Sequence, residues 1–202
     1  MKCPTLKQKY RQTSKDERQK TPGPYADILI FVVTMLVANY LWKFTVIGDE
    51  TGTDNMVLWF GWDITTPFEV MSRHIVACVY WLVSQVRDTV ELRNGHTVGF
   101  VGGAGTAIVW SCSGLKQLFI WLCIMLTARG GWKHKLWFIP LGAVNCHAFN
   151  ILRIAIITLF LEHHPDWFTV LHDYIFKYLF YGLMFLLWVW FVERYGKRSM
   201  AE

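Results

Sequence analysis

Three residues of this chain, bearing a thiol, a guanidinium and an imidazole, fall where together they could do chemistry. Cys112, within Trp110-Ser111-Cys112-Ser113-Gly114-Leu115, sets a thiol at the mouth of an apolar stretch; Arg153 lies inside a later apolar stretch, and His172 opens the last one. A thiol is a poor nucleophile until it is deprotonated, and a nearby cation favours the thiolate that an apolar site alone would disfavour. A histidine within reach can take the thiol proton and return it to a leaving amine. An arginine can hydrogen-bond the oxyanion of an acyl-transfer intermediate as backbone amides do elsewhere. Together they make a Cys-His-Arg acyl-transfer site. Each residue also has a plainer reading. Cys112 alone is most simply a small buried hydrophobe. His172 alone is a histidine beside a wet loop, with His163, His164 and His96 as rival bases. Arg153 is harder to set aside, because an arginine at the bilayer interior costs ~2.5–3.5 kcal/mol or more. A structural ion pair is its main alternative, and no acid lies near it on its own stretch.

The elements that must hold these residues are membrane helices. Of 202 residues, 53% are hydrophobic and mean hydropathy is +0.28 despite a charged start, so one helical bundle without a second domain is expected. Several stretches approach the ~20 residues needed to cross the hydrocarbon. The expected fold is an all-α polytopic membrane protein of about four to six membrane segments, with a short glycine-rich hairpin before Cys112. Residues 1–24 form a basic cytoplasmic tail, 25–195 the transmembrane catalytic bundle, and 196–202 a second cytoplasmic tail. The net charge of +5 does not point to nucleic acid, because seven of the 20 Lys and Arg fall in the first 20 residues. That tail is an anchor by the positive-inside rule. It is too long and hydrophilic for the n-region of a cleaved signal, and no small-x-small site follows the apolar segment Asp27 to Ile47. The five cysteines form neither a disulfide framework nor a zinc ribbon. Cys78 and Cys123 read as packing residues, Cys3 lies in the tail, and only Cys112 and Cys146 have polar company.

Loop charges set the orientation. Gly48 to Pro67 carries acids and tryptophans without Lys or Arg, as an outer interfacial loop would. Arg129, Lys133 and Lys135 have no acidic neighbour in their loop, whereas Glu162 to Asp173 holds three acids and three histidines. The first of the last two loops is therefore cytoplasmic and the second external, and Arg194, Lys197 and Arg198 place the C-terminus inside. Asp27 to Ile47, Leu115 to Ala128, Leu136 to Leu161 and Tyr174 to Val192 then make four crossings. Phe68 to Val86, with Glu69, Arg73 and His74, is an outer interfacial helix, or a crossing with an unrecognised return. Thr97 to Val101, Gly102-Gly103 and Ala104 to Trp110 read as the hairpin. These glycines fit neither GxGxxG nor a P-loop, so no nucleotide cofactor is read. Arg153, eight residues before Leu161, falls ~12 Å below the outer end of its helix. Cys146, Asn150 and Arg153, at i, i+4 and i+7, share one face that must look into the bundle.

At these residues the chain resembles the exosortase/archaeosortase family of membrane-embedded transpeptidases: Cys112 in Cys-Ser-Gly-Leu, Arg153 in Asn150-Ile-Leu-Arg-Ile154, and His172 opening the final helix. The resemblance covers roughly residues 68–192, with three short motifs in order. It implies Cys112, Arg153 and His172 as catalytic residues, with Asn150, Ser113 and Gly114 in support and no metal. It also implies a cysteine protease and transpeptidase at the outer face of the cytoplasmic (inner) membrane. The implied partners are exported proteins bearing a C-terminal motif, a transmembrane helix and a basic tail, together with the lipid bilayer. The chain is shorter than the larger bacterial members, with one span before the catalytic region. Asn150 either bonds a neighbouring helix or orients Arg153. Cys146-His147 does not reach the external histidines and no HExxH occurs, which disfavours a metal. The other function class is non-enzymatic: a transporter in which Arg153 lines an anion path, or an assembly or sorting factor without turnover. A transporter needs polar residues across the whole bilayer, and here they crowd towards the outer half.

Overall fold

The structure, a computed structural model, describes residues 24–48 and 56–196. The expected tails at 1–24 and 196–202 lie almost wholly outside the described residues, as does Cys3. The chain is a helical membrane protein. Helix α1 (Pro24–Thr45) runs into a small antiparallel sheet of β1 (Val46–Gly48), β2 (Val57–Trp59) and β3 (Trp62–Asp63). Next come α2 (Thr65–Ser84) and a second antiparallel sheet of β4 (Val90–Arg93), β5 (Thr97–Phe100) and β6 (Gly105–Ala107). A 3₁₀ turn at Trp110–Ser113 leads into α3 (Leu115–Thr127), then α4 (Trp132–Leu161) and α5 (Phe176–Phe191). Short π-helical segments, Val170–Ile175 and Val192–Gly196, flank α5.

Three helical stretches are long and apolar enough to cross a membrane: Tyr25–Thr45, Trp132–Leu161 and Pro165–Gly196. The apolar α3 has 13 residues, ~20 Å at 1.5 Å per residue, which is short of a ~30 Å hydrocarbon core. Leu29, Val33, Leu36, Val37 and Tyr40 of α1 are exposed, an apolar face that suits lipid rather than water.

Side-chain contacts fix how the helices run. Near one end, the basal end, Thr34 meets Thr127 at 3.2 Å, Asp27 pairs with Arg129 at 2.8 Å, and Lys135 donates to the Leu126 carbonyl at 3.0 Å. Higher up, Trp42 packs on Phe119 with ring centroids 5.4 Å apart, and Asn150 donates to the Cys112 carbonyl at 2.9 Å. We refer to this as the cap end. Helix α4 has 30 residues, ~45 Å at 1.5 Å per residue, so its last turns rise past the start of α3. There Ile154 and Ala155 are buried against Ile75, Val79 and Val83 of α2 and Val98 and Phe100 of β5.

Helix α2 keeps both ends at the cap. Phe68 in its first turn packs against Trp42 and Trp110, and Arg87 just beyond its last turn pairs with Glu162 at 2.9 Å, beyond the end of α4. Its outward face carries the exposed pair Arg73–Glu69, 3.1 Å apart, which a lipid-facing helix would hold only at high cost. The segment read as a loop from Gly48 to Pro67 differs from expectation. Residues 49–55 are outside the described set, but residues 57–63 fold back as β2 and β3, with Val57 and Phe68 buried together under Trp42 and Trp110.

Candidate active site

The turn that carries Cys112 is built by glycine and asparagine. Val109 is extended, residues 110–113 make one 3₁₀ turn, and Gly114 reverses the chain at φ 77°, a left-handed conformation that disfavours any side chain. A Cβ at Gly114 would also stand 3.0 Å from the Asn150 amide nitrogen. That close approach lets Asn150, fully buried on α4, hydrogen-bond the Cys112 carbonyl. Asn150 therefore bonds across helices and holds the thiol turn; no bond from it to Arg153 is present. Ser113, buried, accepts from the Leu115 amide at 3.4 Å and so starts α3.

His172 stands in the π-helical segment before α5, whose wider turn changes the direction of successive side chains. Two contacts fix its ring, which stands beside the Cys112 thiol. Phe168 stacks on it with centroids 5.2 Å apart, and Nδ1 lies 2.8 Å from an Asp173 carboxylate oxygen. Because Asp173 engages Nδ1, Nε2 is the ring nitrogen left to exchange a proton, and the acceptor at Nδ1 fixes the tautomer whose Nε2 can take one. The rival bases are occupied elsewhere: His96 bonds the Asn94 carbonyl, His163 leans on Glu162 and His164 packs on Phe160.

Arg153 is 6% exposed and its charge acts on Cys112 and Tyr181. Its guanidinium sits 6.0 Å from the Phe180 ring centroid, and its buried Nε has no hydrogen-bond partner. Among the described residues no carboxylate pairs with it. The ion-pair alternative therefore finds no partner there. A buried guanidinium left without a counter-charge favours an anion beside it, and Cys112 and Tyr181 are the neighbouring groups able to become one. Burial by itself pushes the Cys112 thiol up. The neighbouring His172 imidazole, a Val109 backbone hydrogen bond and the Arg153 charge act the other way and favour the thiolate.

No protein-family model, curated protein or solved structure matches this chain.

Cys146, expected on the polar face with Asn150 and Arg153, is buried with them but packs among Trp121, Ile124 and Phe138 without a polar partner. Cys78 is the reverse. Read as packing, it lies 3.6 Å from the His74 ring nitrogen, and His74 stacks on His147 with centroids 5.3 Å apart. No group of three or more His, Cys, Asp or Glu side chains suited to a metal occurs among the described residues. Asp173 is the residue that sequence reasoning left out. Neighbours i and i+1 on a regular helix point apart, so only a π-helical turn makes the His172–Asp173 contact available.

Proposed function

We propose that this chain is a membrane-embedded cysteine peptidase and transpeptidase of the exosortase/archaeosortase kind. The observation that supports it is the convergence on Cys112 of His172, held by Asp173, and of a buried Arg153 with no described carboxylate partner.

The chemistry follows from those positions. His172 Nε2 takes the Cys112 proton as sulfur attacks a peptide carbonyl, and Arg153 faces the negative charge that develops on the carbonyl oxygen. The imidazolium then protonates the departing amine as the C–N bond breaks, leaving a thioester on Cys112. An incoming amine or water attacks that thioester, returns its proton through His172 and frees the thiol. The substrates are exported proteins whose C-terminal motif, apolar helix and basic tail dock against the bundle. The basal end faces the cytoplasm and the cap faces outward, with α3 and its 3₁₀ approach completing a fourth crossing.

Substrate size on a gel, in cells carrying each variant, tests this reading. Cys112→Ala and Cys112→Ser should leave the substrate uncleaved. His172→Ala should slow cleavage by roughly 10²–10⁴, the range for a lost general base. Normal processing with Cys112→Ala would sink the proposal and return Arg153 to a structural or anion-transport role.

A further inference from the structure

Against the Cys112 turn lies an open cavity of about 180 Å³ that the acyl-transfer chemistry does not use. Its walls are Trp42, Phe68 and Trp110, the serines Ser111 and Ser113, and the lysines Lys43 and Lys116. Lys43 comes from the last turn of α1 and Lys116 from the first turn of α3. Lys177, near the start of α5, is close enough to Lys116 to repel it, as is Lys43. Two helices thus bring like charges to the cavity wall, and Lys177, outside the wall, adds a third nearby. Among the described residues none of the three lysines pairs with a carboxylate.

This gathering is not the general charge of that face, since the loops Gly48 to Pro67 and Glu162 to Asp173 hold acids and no Lys or Arg. Like charges held together cost free energy unless an anion sits among them. The two ammonium groups of the wall already exceed what one carboxylate neutralises, whereas a phosphate group offers up to two charges and three acceptor oxygens to lysines and hydroxyls. The aromatic walls stand where α1 ends, a position suited to the headgroup layer of a bilayer. We infer that this cavity is a phosphate-binding subsite, taking the phosphate of a lipid headgroup or free phosphate beside the Cys112 turn. The inference does not depend on peptidase activity, and its test uses a chain unable to perform it.

Full-length Cys112→Ala protein in a nonionic detergent would be titrated calorimetrically with dihexanoyl phosphatidic acid. Binding is expected, and the added double change Lys43→Gln/Lys116→Gln should weaken it about tenfold or more, as loss of charge-assisted contacts does. Lys43→Arg/Lys116→Arg should keep it, and Lys133→Gln at the basal end should leave it unchanged. If inorganic phosphate displaces the lipid at matching concentration, the ligand is free phosphate; if it does not, the headgroup is read in its lipid context. Should the double glutamine variant fail to fold, the exposed Lys177→Gln carries the same test with a smaller loss. Absence of binding, binding unaffected by the lysine changes, or preference for triglutamate over both phosphate probes would each overturn the inference.

Discussion

At Cys112 burial opposes the thiolate, while His172 and Arg153 favour it. If the two cationic neighbours activate the thiol, alkylation of Cys112 reaches half its maximal rate at a pH below the ~8.5 of a free thiol. Replacing Arg153 by Ala should move that midpoint upward, and Arg153→Lys should restore it only in part, because an ammonium lacks the planar fork. A wild-type midpoint at the free-thiol value, unmoved by Arg153→Ala, would remove the arginine from activation. Asp173→Asn should also shift the profile, because the carboxylate that steadies the imidazole is gone. At this scale Arg153 stood out by its cost in an apolar stretch, whereas Cys112 and His172 drew notice only in combination with it and by their order along the chain. Asp173 was not, since its contact depends on a local departure from α-helical geometry.

Among the elements, the 3₁₀ turn and the face of α4 behind it decide whether the thiol is presented at all. Gly114→Ala places a side chain at φ 77° and against Asn150, and should lower stability by ~1–3 kcal/mol, the usual cost of a strained backbone position. It should also reduce Cys112 alkylation. Gly182→Ala, with open space around it inside α5, is the matched control and should be neutral or slightly stabilising. Thermal unfolding in detergent compares the two, and equal midpoints would contradict the proposed role of Gly114. Helix positions were readable because apolar stretches and loop charges mark them. The sheet of β1, β2 and β3 was not: its strands have two or three residues each, too few for alternation to register. Nor was the Asn150 bond to Cys112, which joins residues 38 apart in sequence.

For the whole molecule, the reading turns on which side of the membrane the cap faces. Single cysteines at Lys133, at the basal end, and Pro165, at the cap, should respond oppositely to an impermeant thiol reagent on intact cells: 165 labels and 133 does not. Reversal would put the site in the cytoplasm. That hydropathy foretold a helical membrane protein follows from the chain's long apolar runs. The gathering of Lys43, Lys116 and Lys177 was invisible in sequence because only tertiary packing brings three helix ends together. The central claim, that Cys112 carries an acyl group during turnover, is tested most directly by intact mass of the protein isolated with its substrate. The account predicts an adduct on wild-type Cys112, released by hydroxylamine as a thioester is and absent from Cys112→Ala. A cleaved substrate with no such adduct in wild type or in the slowed His172→Ala variant would contradict it.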